Sequence, residues 1–171
     1  MIREAINSDA DDIAEIYNHY IVNTNITFEL EPVSALEISD RISHYKTIGP
    51  YLVYEEYNTI LGYAYVSKFR ERKAYDNSVE STIYLRNGAG GQGIGFKLYS
   101  TLLQQIESKY HVVIGVIALP NDASVKLHEK CGFKKVGYLT EVGYKFNKWI
   151  DVGFWQKCNT VSSSLIFPFQ H

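Results

Sequence analysis

The chain is expected to fold as an α+β domain (a mixed α/β protein), with a central mixed sheet of about seven strands and four helices in the order βααβββαβαββ. Three observations predict it. Strand-like runs follow one another between residues 51 and 85 with short connections, a glycine-rich loop then opens a helix, and the unbroken apolar run VVIGVIAL, residues 112–119, reads as a buried strand. Three antiparallel strands feeding a single βαβ unit exclude a doubly wound parallel sheet.

The first strand covers Ile2 to Ala5, and Ser8 or Asp9 is placed to cap a helix whose apolar residues Ile13, Ile16, Tyr17 and Tyr20 recur at helical spacing to about Asn23. The segment TNITFELEP lacks that period and ends in Pro32, after which Ser34 and Glu37 have the spacing of a capping box for a second helix that stops near Gly49-Pro50. YLVYEE and TILGYAYVS are β-rich runs joined at Tyr57-Asn58, which predicts a hairpin. A charged loop, KFRERKAYD, leads to VESTIYL, where Val79, Ser81, Ile83 and Leu85 share one face and Glu80, Thr82 and Tyr84 the other. Beyond the glycines, Ile94, Leu98, Leu102, Leu103 and Ile106 form a helical stripe to about Tyr110. Pro120-Asn121-Asp122 starts a fourth helix that Gly132 ends, and strands over Val136 to Phe146 and Trp149 to Lys157 complete the order.

One domain over 1–157 with a C-terminal tail over 158–171 fits the length of 171 residues. The tail's LIFPF is apolar enough that it is expected to pack on the domain or on a second subunit, with a disordered tail as the alternative. A formal charge of −2 gives no basic face for nucleic acid. No apolar run reaches the ~18 residues of a membrane helix, and MIREAINSDADD has no apolar signal region, so a cytoplasmic protein without nucleic-acid or membrane partner is expected. Cys131 and Cys158 stand far apart without metal-ligand spacing, so neither a disulfide framework nor a metal site is expected.

The chemistry concentrates at Arg86 to Lys97, RNGAGGQGIGFK, with glycines at 88, 90, 91, 93 and 95. A dinucleotide fingerprint needs an acidic residue about 20 positions on, where Val113 stands mid-strand, and a P-loop needs Gly-Lys joined where Phe96 intervenes. Two readings stay open. Glycines 91, 93 and 95 admit a pyrophosphate to backbone N–H groups and the dipole of a helix start, or the loop is only a turn.

The element order, the Gly-x-Gly before a helix, and Asn121 followed by LHEKCGF resemble the GNAT superfamily of N-acetyltransferases. More narrowly, IYNHYIVNTNITFE, AYDNSVESTIYL, GIGFKLYSTLL, LPNDASVKLHEKCGF and GYKFNKWIDVGFWQK are similar to the phosphinothricin N-acetyltransferase group, over about residues 2–157. The resemblance implies acetyl-CoA as co-substrate, a small amino acid such as phosphinothricin or methionine sulfoximine as amine acceptor, and a homodimer. It also marks a departure, for Gly90 stands where the family writes Gln or Arg, and Gly91 where an Arg is usual.

Carried over residue by residue, the resemblance makes Glu80 the base and His128 the general acid for the leaving thiolate, a role that an imidazole near its ordinary pKa of about 6.5 can fill. The cofactor would lie along Ile83, Tyr84 and Leu85, with the Leu85 N–H as oxyanion donor, and across Gly91, Gln92, Gly93, Ile94, Gly95 and Phe96. Asn121 caps the fourth helix and bonds the pantetheine arm. For the acceptor, Arg70 and Arg72 suit a carboxylate or phosphinate, while Phe28, Glu29, Tyr75 and Ser81 would close the pocket. Rival readings are an acetyltransferase for protein N-termini or polyamines, and a CoA-binding module without turnover.

Overall fold

The computed structural model describes residues 1–159, so the expectation for LIFPF falls outside the described residues. The elements are β1 (Ile2–Glu4), α1 (Ala10–Asn23), α2 (Ala35–Lys46), β2 (Tyr51–Glu56), β3 (Thr59–Lys68), β4 (Ser78–Leu85), α3 (Ile94–Ile106), β5 (Val112–Leu119), α4 (Asp122–Lys130), β6 (Lys134–Lys145) and β7 (Lys148–Cys158). They reproduce the expected order and form one seven-stranded sheet, β1-β2-β3-β4-β5-β7-β6. Only β4 and β5 run parallel.

Local chemistry explains most boundaries. Ser34 caps α2 through the Glu37 N–H at 3.1 Å, but the Glu37 carboxylate turns to Arg41 at 2.5 Å, so only half of the expected capping box forms. Asp9 does not cap α1 with its side chain. Its carboxylate instead accepts the Ile6 N–H at 2.9 Å, capping a short 3-10 turn, and takes the Arg3 guanidinium at 2.7 and 2.8 Å. Both Tyr57 and Asn58 adopt positive φ, 49° and 59°, the backbone of the two-residue hairpin turn predicted there. Helix α3 ends at Ile106, four residues short of expectation, because Tyr110 leaves the helical path and its hydroxyl donates to the Ile48 carbonyl at 2.6 Å.

The sheet separates two cores. Ala64, Val66, Val79 and Val113 meet α3 through Leu98, Tyr99 and Leu102 on one face, while Tyr51, Val53 and Tyr63 meet α1 and α2 through Ile13, Ile16 and Ile42 on the other. The second face accounts for much of the chain's tyrosine. Tyr45, Tyr65, Tyr51, Tyr63 and Tyr84 stack in that order, with ring centroids 4.6–5.9 Å apart along the row.

The feature that positions the site is a parting of strands. Strand β4 pairs with β5 only over Ser78–Glu80 against Val112–Ile114, after which β4 continues along β3 to Leu85 and β5 along β7 to Leu119. At the fork, the Ser81 hydroxyl donates to the Ile114 carbonyl at 3.3 Å and shares a 2.7 Å hydrogen bond with the Tyr99 hydroxyl of α3. A side chain thus takes up a backbone group where the ladder ends. Tyr99→Phe should cost about 1 kcal/mol, read as a fall of about 2–4 °C in Tm; an unchanged melting curve would show that the fork does not depend on this bond.

Candidate active site

The diverging strands leave a cavity of about 620 Å³ that runs from Glu80 at the fork to the glycine loop and the start of α3, within the ordinary range for a small-molecule site. Val116 to Ala118 of β5 form the opposite wall, Asn121 and Ser124 of α4 the rim, and Ile26 to Phe28, after α1, cover the side toward the first two helices.

Backbone polarity along β4 is set by its pairing with β3. The Arg86 N–H donates to the Leu61 carbonyl at 2.8 Å, and by the alternation of an antiparallel ladder the N–H and C=O of Leu85 and Ile83 then face the gap rather than β3. The Leu85 carbonyl accepts the Tyr20 hydroxyl at 2.6 Å, leaving its N–H as the donor presented to the cavity. Tyr20 was not foreseen, and its place on the helical stripe of α1 gave no sign that its hydroxyl reaches across to β4. Tyr84 packs between Tyr17 and Tyr20, with centroids 5.1 and 4.9 Å away, and holds α1 against this strand.

Gly88, Gly91 and Gly93 take φ of 86°, 80° and 75°, conformations that side chains oppose. Gly93 is the N-cap of α3, no side chain caps the helix, and its first backbone bond, from the Lys97 N–H to the Gly93 carbonyl, is 3.0 Å long. The amides of the first turn are therefore free for an anion, and the helix dipole favours one. Gly95 lines the cavity and has a packing role besides. A Cβ there would lie 3.3 Å from Leu85 Cδ1, so this glycine brings α3 close against β4. Ile94 is buried in the core at 3% exposure, and Gln92 points outside the cavity lining.

Glu80 lines the fork, and burial pushes its carboxyl above the ordinary carboxylate value, partly offset by the positive charge of Arg70. Asn121 caps α4 as expected, its Oδ1 accepting the Ser124 N–H at 3.2 Å. His128 also lines the cavity, but the reading of it as an acid near its ordinary pKa is corrected. The ring is 4% exposed, burial lowers its pKa, which favours the uncharged imidazole, and Nδ1 lies 2.8 Å from the Ser124 carbonyl, so the neutral ring carries its proton on Nδ1 and donates it to that carbonyl. The Cδ2–Nε2 edge of the ring abuts Gly115 of β5, where an added Cβ would come within 2.5 Å of Cδ2.

Several residues expected at the acceptor pocket stand elsewhere. Glu29 turns away from the cavity to pair with Arg41 at 2.7 and 3.1 Å and to accept the Tyr17 hydroxyl at 2.9 Å. Ser81 does line the cavity, but its hydroxyl is spent on the fork. Arg72 and Tyr75 are exposed on the charged loop and do not line the cavity, and the Arg70 guanidinium lies over the Phe69 ring, 4.5 Å from its centroid. Phe28 is at the cavity, its ring laid on the backbone of Gly143, and Thr27 beside it is pinned by an unforeseen residue. Lys145, 3% exposed, donates from Nζ to the Thr27 carbonyl at 2.9 Å. A lysine buried on an edge strand has no signature in periodicity, although its place between Tyr144 and Phe146 in an alternating run puts it on the inward face.

A free strand edge leading to bare, left-handed glycines and uncapped helical amides, with a buried carboxylate at its base, is the arrangement of an acetyl-CoA-dependent acyltransferase. A model of the acetyltransferase (GNAT) domain matches residues 2–153, and the chain belongs to that family. It is 40% identical over 157 residues to a phosphinothricin N-acetyltransferase of Streptomyces viridochromogenes, covering 91% of this chain and 86% of that protein. At greater distance, it is 32% identical over 160 residues to an L-methionine sulfoximine/L-methionine sulfone acetyltransferase of Salmonella typhimurium, covering 91% and 92%. Among solved structures, a GNAT phosphinothricin acetyltransferase from Sinorhizobium meliloti in complex with acetyl-CoA superposes with a TM-score of 0.91 at 34% identity, covering 99% of this chain and 93% of that one. The protein is an N-acetyltransferase, and its free edge and uncapped amides fit acetyl-CoA.

Gly115→Ala should force the His128 ring off β5 and cost about 1–3 kcal/mol in thermal denaturation. In a double-mutant cycle with His128→Ala most of that cost should vanish; strict additivity would show that the ring and the strand are not in contact.

Proposed function

We propose that this acetyltransferase modifies the primary amine of a small amino acid of the phosphinothricin and methionine sulfoximine class, with Glu80 as the base. One observation carries the reading: Glu80 is a largely buried carboxylate of raised pKa lining the fork, facing the side covered by Thr27 and Phe28. A small enclosed acceptor suits that cover, and a raised pKa makes the carboxylate a better proton acceptor than an exposed one. Acetyl-CoA supplies the acetyl thioester. The Leu85 N–H, which faces the cavity, would donate to the thioester oxygen, and Ile83 would offer edge hydrogen bonds to amides of the pantetheine arm. The free amides after Gly93 would hold the pyrophosphate. Arg70, the cation felt at Glu80, is the candidate partner for an acceptor carboxylate or phosphinate, with Arg72 and Tyr75 further out on the same loop. His128, neutral, serves to shape the wall beside the thiol.

The unpaired Cys131 and Cys158 fit a reducing cytoplasm, and no helix of the described residues is long and apolar enough to cross a membrane. A homodimer is proposed on the exposed apolar side chains of the edge strand and its hairpin, among them Val136, Leu139, Val142, Tyr144 and Trp149. Sedimentation at micromolar concentration should give twice the chain mass, and a monomer would dismiss the dimer.

Acetyl-CoA consumption should be seen with phosphinothricin or methionine sulfoximine, and preference for polyamines or peptide N-termini would overturn the acceptor assignment. Glu80→Gln should lower turnover by about 100-fold to 10,000-fold near neutral pH, the loss shrinking as pH rises and the amine deprotonates unaided. The stability effect has the opposite sign. Because the folded pKa of Glu80 is raised, its favourable contribution exists below the unfolded carboxylate pKa and is lost as pH rises through the folded value. At neutral pH the variant should therefore melt no lower than the parent. A variant with unchanged activity and pH profile would remove Glu80 from the mechanism.

A further inference from the structure

The glycine loop contains little usable positive charge. Gly90 and Gly91 carry none, and Arg86, which lines the cavity, is committed to Asp12 at 2.6 Å and Glu15 at 2.8 Å. Lys97 lies on the first turns of α3 but lines neither the main cavity nor the smaller one beside it. A CoA molecule carries a pyrophosphate and, on its adenosine end, a 3′-phosphate, so a cradle of neutral amides alone leaves much of that charge unmatched.

The smaller cavity, about 300 Å³, begins where the main one ends. Phe96, in the first turn of α3, lines both. The groove continues along α3 past Ser100 and is closed on its other side by the end of α4 and by β7, which bring Lys130 and Lys157 to it. Lys130 holds its Nζ 4.3 Å from the centroid of the half-exposed Phe96 ring, at the junction of the two cavities. Lys157 donates to the Cys131 carbonyl at 3.3 Å. Glu107 lies among the same lining residues, further along α3, so a phosphate is favoured at the Lys130 end and opposed near Glu107.

We propose that Lys130, poised over Phe96 at the mouth of this groove, binds the 3′-phosphate of the CoA adenosine end and replaces the cations that the glycine loop lacks. The inference rests on the acetyl-CoA reading of the main cavity. It assigns the charge of the site to the end of α4 instead of the loop before α3, with the Phe96 face offered to the adenine.

The test is titration calorimetry of the full chain with CoA and with 3′-dephospho-CoA, for the parent and for Lys130→Gln. Lys130 is exposed and the change leaves the core untouched. The parent should bind CoA about threefold to tenfold more tightly than dephospho-CoA, with the preference weakening in high salt. Lys130→Gln should bind both ligands alike, at the affinity of the parent for dephospho-CoA. Equal binding of the two ligands by the parent, or a preference kept by the variant, would overturn the proposal while leaving the acetyl-CoA reading in place. Failure of the parent to bind either ligand at millimolar concentration would overturn both.

Discussion

Everything functional here depends on one constraint: β4 and β5 are joined over only three residue pairs before they separate. A continuous parallel ladder would satisfy both strands and leave no site. Because the ladder stops at Glu80, the outer half of β4 keeps a polar edge without a neighbouring strand, and such an edge is costly unless something bonds it. The structure answers part of that cost on each strand, Tyr20 bonding the Leu85 carbonyl of β4 and the Ser81 hydroxyl the Ile114 carbonyl of β5. What remains unpaired is the part a thioester and its amide-bearing arm can use.

The two faces of the fork divide the labour. On the α3 side the construction is local, with the strand, the left-handed glycines and the helix following one another directly in sequence. Gly95 allows the helix to approach Leu85 closely, so the free amides and the free strand edge converge. On the α1 side the wall is assembled from distant parts. The tyrosine row fixes the sheet to the first two helices, Glu29 is drawn into the Arg41 pair, and the loop carrying Thr27 and Phe28 is left to wall the cavity. The Glu29 carboxyl shows how much this arrangement holds: burial raises its pKa, yet the hydrogen bonds from Arg41 and Tyr17 outweigh burial and bring it below the ordinary value.

The sequence made the architecture readable because its signals are periodic. Apolar alternation located β4 and placed Glu80 on its own face, and the helical stripe after the glycines located α3. The acetyltransferase reading rested on the same blocks. The roles that went astray depend on partners outside their own element. Glu29 looked free until Arg41, twelve residues away, took its carboxylate, and Ser81 looked available until Tyr99 claimed its hydroxyl. His128 lies on a largely polar helix and gives no hint of burial, which is decided by the absence of a side chain at Gly115 on another strand. Sequence periodicity reports which way a residue faces, and pairing across the core reports whether it is free.

The Lys145 ammonium and the Thr27 carbonyl meet across 118 residues of chain. Strand β4, the glycine loop, α3, β5 and α4 lie within residues 78–130, so the α3 side of the fork needs only short-range closures. The wall carrying Thr27 needs the last hairpin to return to the first loop, a closure of high contact order. A chain emerging during synthesis therefore has the fork and the glycine loop in hand well before Lys145 can reach the Thr27 carbonyl, and the wall that Thr27 and Phe28 give the cavity is among the last parts of the molecule to be fastened as it folds.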